Sequence, residues 1–263
     1  MDLPHDVIER LTGRALEPIS LGESDAHVWR CTADGQSSWY LKAAPLTAKL
    51  RLEREAESMR WMRNRGVPVP LVHEYTQFAD TEYLLMEEAI GVPASAPKWD
   101  VDRRRIAIAL GRGLATLHAT DATGCPFDRR IARQLEEARI RLADGHVRED
   151  DFDASRLGRD AADLFAELLA TVPPNEDLVL VHGDFCLPNV LLDQQASDEL
   201  RITGLIDCGR AGIGDRHQDL ALAIRSLAYN LGPDAVSPFL RAYGRSIPDP
   251  ATIEFFTVLD EFF

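Results

Sequence analysis

The sequence predicts an α+β fold in two lobes, a small antiparallel sheet with one helix followed by a larger, mainly helical lobe. Three observations support it. Strand-like runs crowd the first 90 residues, apolar residues at helical spacing dominate the remainder, and a Gly/Pro/Ser-rich stretch from Ile90 to Pro97 separates the two patterns. We therefore expect one lobe over residues 1–90 and a second over residues 91–263.

In the first lobe, Val28–Thr32 and Ser38–Lys42 flank Ala33-Asp34-Gly35-Gln36, whose Asp-Gly pair predicts a hairpin turn. A helix follows over Ala48–Asn64, closed by Gly66 with Pro68 just beyond. Leu71–Thr76 and Glu82–Glu87 read as two further strands. In the second lobe, Ile106, Leu110, Leu114 and Leu117 share a helical face. So do Ile131, Leu135, Ala138 and Leu142, and later Leu220, Ile224 and Leu227. Short apolar runs at Leu178–Val181, Val190–Leu192 and Ile202–Ile206 interrupt these helices, and each ends in polar residues.

The chain has 263 residues, 45% of them hydrophobic, and a formal net charge of −14. That balance is that of a globular chain with a real core. The negative charge argues against binding nucleic acid or anionic lipid, and favours a cationic partner. No run approaches the ~18 apolar residues of a membrane span. With no export signal in the N-terminal residues and four widely spaced cysteines, the expected setting is the cytoplasm with reduced thiols.

The interrupted region carries the chemistry. The apolar run Leu178–Val181 leads into His182-Gly183-Asp184, and Asn189 follows five residues later. A second apolar run, Ile202–Ile206, delivers Asp207. A lone Asp or Asn at a strand end is as often a turn cap. The ordered set H-G-D-x4-N, an apolar strand, then I-D-x-G matches the logic of the protein-kinase catalytic loop and its metal-binding aspartate. Phosphoryl transfer needs a carboxylate to orient the attacking hydroxyl and oxygen ligands for Mg²⁺. Asp184 is the candidate base, and Asn189 and Asp207 are the candidate metal ligands.

A kinase-like site also needs a strand lysine on the nucleotide phosphates, held by a helix glutamate. Lys42 ends the run Trp39–Lys42 and points away from Trp39 and Leu41. Leu52, Ala56, Met59 and Met62 form the apolar stripe of the following helix, and Glu55 falls within it. A carboxylate on a buried stripe needs a cation, and Lys42 is the economical partner; the alternative is a glutamate that reaches solvent at the lobe edge. Gly22-Glu23-Ser24-Asp25-Ala26 occupies the place of a phosphate-covering loop, where backbone N–H groups and the Ser24 hydroxyl could meet phosphate oxygens. The segment Arg148–Asp153 is strongly acidic, which on its own reads first as a solvated loop.

Together these residues resemble the aminoglycoside 3′-phosphotransferases, among the kinase-fold antibiotic and small-molecule kinases. The likeness runs from the Gly22–Ala26 loop through Arg54-Glu55-Ala56, Leu84–Ala89, His182–Asn189, Ile206–Arg210 and Asp215–Ala221 to the ending Leu259–Phe263. It implies a bilobal protein-kinase-like fold with ATP (or GTP) between the lobes and the base on the backbone of Glu87 and Ala89. Lys42 would hold phosphates, Glu55 would hold Lys42, and Ser24 would lie over the nucleotide. The antibiotic, a polycation, would be gripped by Asp151, Asp153, Arg210, Arg225, Glu261 and the α-carboxylate of Phe263. The implied partners are an aminoglycoside and a nucleoside triphosphate, on a monomer or weak dimer. Gln218 and Asp219 would scaffold the catalytic loop.

The sequence departs from the family pattern at Ala154, Ser226, Tyr229 and Asn230, where relatives carry acidic residues, so the antibiotic range is open. Tyr229 is expected to contact a sugar ring. Three rivals remain at this point: a kinase for another hydroxylated metabolite such as an amino alcohol, homoserine or a sugar; a non-catalytic cation-binding protein; and a Mg²⁺-dependent phosphohydrolase. His182 and His118 read as structural, Cys186 and Cys208 as unactivated thiols, and Trp61 as helix core.

Overall fold

A computed structural model describes residues 3–19, 26–48, 51–99, 102–194, 199–244 and 248–263. They form two compact units. The first comprises Met1–Val92 with Leu191–Asp193 and Ile202–Gly209; the second comprises Pro93–Val190, Gln194–Arg201 and Arg210–Phe263.

In the first unit, α1 (His5–Leu11) precedes β1 (Ala15–Ile19), β2 (His27–Thr32), β3 (Trp39–Pro45), α2 (Leu52–Asn64), β4 (Val72–Phe78) and β5 (Thr81–Glu87). The sheet order is β1-β2-β3-β5-β4, antiparallel throughout. The β2–β3 hairpin closes at the expected Asp-Gly turn, pairing Cys31 with Trp39. Val7 and Leu11 of α1, which the sequence reading left without an element, join Cys31, Leu41 and Leu85 in the core.

Helix α2 begins at Leu52, four residues later than the spacing predicts. The reason lies on β5. The buried Glu82 carboxylate accepts the N–H groups of Leu52 (3.2 Å) and Glu53 (3.3 Å), and the Arg51 guanidinium (2.8 Å). A carboxylate on a neighbouring strand thus satisfies the first free amides of the helix and fixes its start. Leu52, Ala56, Met59 and Met62 are buried as expected. Trp61 is only part-buried, with the Arg65 guanidinium 5.0 Å over its ring, rather than core.

The second unit begins near the two-residue β6 (Val92–Pro93) and contains α3 (Arg103–His118), β7 (Asp128–Arg129), α4 (Ile131–Ala143), α5 (Ala161–Ala170) and β8 (Leu178–Val181). It ends with β11 (Gly212–Asp215), α6 (Arg216–Leu231), α7 (Val236–Tyr243) and α8 (Pro250–Asp260). Strand β11 runs antiparallel to β8 and parallel to β7. Ile131, Phe165, Ala221, Phe255, Phe256 and Phe262 knit α4, α5, α6 and α8 around one apolar core.

Between β8 and β11 the chain runs through β9 (Val190–Gln194) and β10 (Leu200–Leu205), in a small sheet of order β10-β9-β6. Leu191–Asp193 and Ile202–Gly209 cluster with the first unit, although they lie at least 99 residues beyond Val92 in sequence. The Leu205 N–H donates to the Pro68 carbonyl at 2.8 Å. Asp207 is thereby assembled with β3 and α2.

No helix among the described residues is long and apolar enough to cross a membrane. All four cysteines are free; Cys31 and Cys208 are buried, Cys125 and Cys186 part-buried.

Candidate active site

In the first unit, three residues from three elements converge. The Lys42 ammonium on β3 donates to Glu55 Oε1 on α2 at 2.7 Å and to Asp207 Oδ1 just after β10. The Lys42 and Glu55 side chains are 12% and 8% exposed, so the pair is buried as the apolar stripe required. Burial works against the lysine's charge, but the carboxylates of Asp207 and Glu55 outweigh it and hold its pKa above the usual value. Asp207 has φ +58, in the left-handed region that a non-glycine residue adopts at a cost of roughly 1–3 kcal/mol. Burial also pushes the neighbouring Cys208 thiol far up, so it stays protonated.

At the end of β5, Glu87 pairs with Trp39 of β3, and its N–H donates to the Leu71 carbonyl at 2.9 Å. Ala89 lies two residues beyond, and among the described residues its N–H meets no acceptor. Ser24 and the Gly22–Asp25 portion of the expected phosphate loop lie outside the described residues.

In the second unit, the loop after β8 holds Asp184 and Asn189 together. The Asn189 amide donates to the Asp184 carboxylate at 2.8 Å and to its backbone carbonyl at 3.1 Å. This loop is clamped by its main chain. Asp219, fully buried on α6, accepts the N–H groups of His182 and Gly183, each at 2.8 Å. The Gln218 amide donates to the Gly183 carbonyl at 3.0 Å. Gly183 has φ +83, and a Cβ there would lie 2.2 Å from the Arg210 carbonyl oxygen. Glycine alone fits.

His118 connects this clamp to the helices. Its Nε2 lies 3.1 Å from Asp219 and its Nδ1 2.8 Å from the Tyr243 hydroxyl, which Arg216 also meets at 2.7 Å. Burial pushes the Asp219 carboxyl up, but His118 and His182 with their hydrogen bonds hold it below the usual range. His182 accepts the Asp184 N–H at 3.3 Å. Ser226, one of the departures, accepts the Leu187 N–H at 2.9 Å and supports the same loop.

The residues expected to meet a cation form an ion network at the end of α8. Asp260 binds both expected arginines, accepting from Arg210 Nη2 at 2.7 Å and from Arg225 Nη2. Burial opposes ionisation of Asp260, yet the two guanidinium groups keep its carboxyl below the usual range. Arg225 also reaches Asp153 at 3.3 Å. Glu261 accepts the Asp153 N–H at 3.0 Å and the Arg156 guanidinium at 3.1 Å. The Phe263 ring lies under Arg210, at 5.0 Å, and near Arg129 and Arg141.

Asp151 stands apart from this network, half-exposed and paired with Arg148 at 3.1 Å. Tyr229 is 89% exposed on α6. Sequence reasoning missed Asp260 and Arg156, which join the network through Arg210 and Arg225 and through Asp153, Glu254 and Glu261, respectively. The acidic ending Asp260-Glu261 was the one available signal for Asp260.

Comparisons with known proteins agree on family and fold. The model of the phosphotransferase enzyme family matches residues 15–256. The aminoglycoside 3′-phosphotransferase of Streptomyces fradiae is 38% identical over 255 residues, covering 93% of this chain and 94% of that protein. That of Streptomyces ribosidificus is 39% identical over 253 residues, with 93% and 94% covered. Among solved structures, the aminoglycoside-3′-phosphotransferase of type VIII superposes with a TM-score of 0.84 at 37% identity, covering 98% of each chain. The aminoglycoside phosphotransferase of Streptomyces rimosus in complex with ADP and streptomycin gives a TM-score of 0.80 at 27% identity, covering 97% of this chain and 95% of that one.

Proposed function

Since this chain belongs to the phosphotransferase enzyme family, we propose that it transfers the γ-phosphate of ATP to the 3′-hydroxyl of a kanamycin- or neomycin-type aminoglycoside, conferring resistance. The observation that carries this reading is the shared name of its relatives. Proteins 38–39% identical over more than nine-tenths of the chain are aminoglycoside 3′-phosphotransferases.

Each residue's role follows from its chemistry. Asp184 accepts the proton of the attacking hydroxyl, a contribution of about 10²–10⁴ in rate. Its hydrogen bond from Asn189 fixes the carboxylate's orientation. Lys42 holds nucleotide phosphates, and Glu55 keeps its ammonium in place. The base rests on the backbone of Glu87 and Ala89, where the free Ala89 N–H supports the reading, and Ser24 lies over the phosphates. Both ATP and GTP fit such backbone recognition.

Asn189 and Asp207 suit Mg²⁺ by donor type, since both are hard oxygen donors. Asn189 spends its NH₂ on Asp184, and among the described residues its amide oxygen accepts no hydrogen bond. When bound, the ion neutralises charge on the phosphates. Asp151, Asp153, Arg210, Arg225, Glu261 and Phe263 receive the antibiotic, and the net charge of −14 draws a polycation toward the protein.

The test is a coupled ADP-release panel with kanamycin, neomycin, amikacin, streptomycin, a 3′-deoxy aminoglycoside and no acceptor. Turnover on kanamycin and none on the 3′-deoxy compound is the expected result. Equal turnover on both, or on no acceptor at all, would overturn the reading.

A further inference from the structure

Within the second unit, Arg156 is a buried cation outside the roles above. The Arg156 side chain, 9% exposed, contacts three carboxylates: Asp153 at 3.5 Å, Glu261 at 3.1 Å and Glu254 at 2.6 Å. The Glu261 side chain is only 4% exposed, and its second oxygen already accepts the Asp153 N–H. Asp153 shares its Oδ2 between Arg156 and Arg225. Two of the carboxylates assigned to the antibiotic are therefore neutralised by the protein's own guanidinium groups.

We infer that Arg156 is a specificity-determining residue: it stands in for a substrate ammonium between Asp153 and Glu261, so the chain favours aminoglycosides that need fewer amine contacts there. The inference rests on the reading of Asp153 and Glu261 as antibiotic-facing. The physical argument is charge balance. Asp153, Glu254, Asp260 and Glu261 bring four carboxylates to the network, and Arg156, Arg210 and Arg225 bring three guanidinium groups. A neighbourhood that looks strongly acidic in sequence is nearly balanced in the fold. An incoming ammonium gains little where a buried guanidinium already holds the same oxygens. Removing that guanidinium leaves Glu254 and Glu261 with no counter-charge of their own and Asp153 with Arg225 alone.

The test is calorimetric titration of the ADP-bound protein with neomycin and with the less amine-rich kanamycin. Arg156→Gln should strengthen neomycin binding relative to kanamycin by about tenfold, the scale of one partly desolvated charge pair. Arg156→Lys, which keeps the charge, should preserve the wild-type ratio. A purely structural arginine would weaken both ligands on removal, so a gain for one ligand separates the two roles.

Should Arg156→Gln fail to fold, Glu254→Gln serves in its place. Glu254 is 65% exposed, and its loss leaves three carboxylates against three guanidinium groups, with Arg156 committed to Asp153 and Glu261 alone. The neomycin-to-kanamycin ratio should then fall several-fold. An unchanged ratio in whichever variant folds overturns the inference alone. A wild-type protein that binds neither drug overturns the proposed function as well.

Discussion

Asp219 Oδ1 accepts the N–H of Gly183 at 2.8 Å across 36 residues of sequence. Its other oxygen takes the neighbouring His182 N–H at the same distance. The carboxylate that aims the catalytic loop thus holds peptide groups, and Asp184 follows as the next residue. In Asp219→Asn one acceptor becomes a donor facing an amide. A buried position that gains an unsatisfied donor loses roughly 2–4 kcal/mol. Urea unfolding should show that loss, and kcat should fall more than KM rises because the loop, and not the ligand contacts, is disturbed.

Asp184→Ala removes the base and leaves its support intact. Turnover should drop by about 10²–10⁴. The melting temperature should change little, because the Asp219 and Gln218 bonds that hold the loop's main chain remain when the carboxylate bonded by Asn189 is removed. Steady-state ADP release and a thermal melt of the same preparation check the two halves together; near-full turnover would remove Asp184 from the mechanism.

Gly183→Ala tests the loop by shape alone. Its φ of +83 disfavours any Cβ, and the Cβ would meet the Arg210 carbonyl at 2.2 Å, a backbone atom that cannot swing aside. We expect a destabilisation of about 2 kcal/mol or more together with loss of activity. Denaturant midpoints and residual turnover report it.

Asp260 supplies a pH prediction with a definite sign. Arg210 and Arg225 outweigh burial and hold its folded pKa below the ordinary carboxylate value. Its contribution to stability is therefore full above the unfolded pKa, near 3.9, and lost as pH falls through the lower folded value. Wild type should exceed Asp260→Asn by about 3 kcal/mol at pH 7, as expected when a buried pair loses one partner. The gap should persist at pH 5 and shrink by pH 3. Urea melts at those three pH values measure it, and a gap that widens in acid would contradict the ion-pair account.

Much of this was legible in the sequence, and the residues show why. Lys42 and Glu55 were found because a period of two sets Lys42 opposite Trp39 and Leu41 on its strand, and a period of 3.6 sets Glu55 within the apolar stripe of the next helix. Asp184, Asn189 and Asp207 stood out as an ordered set, H-G-D-x4-N, an apolar strand, then I-D-x-G, and the fold bonds Asn189 to Asp184 and Lys42 to Asp207. Glu82 was not legible as a helix cap, because its role depends on β5 lying beside the start of α2. Arg156 was equally hidden: it meets Glu261 over 105 residues, a separation that no local pattern encodes. The departure at Ser226 looked like a missing carboxylate, and the fold uses its hydroxyl to hold the Leu187 amide.

The late return of Leu191–Asp193 and Ile202–Gly209 to the first unit bears on how the protein is made. A nascent chain emerging from the ribosome has translated β1 to β5 and α2 long before Asp207 exists. Until then Lys42 has only Glu55 to neutralise, and the Pro68 carbonyl waits for Leu205. The first unit gains these partners only late in synthesis, so a fragment stopping at Val92 should be less stable than the same residues in the full chain. Restoring the missing hairpin in trans would be the natural way to rescue it.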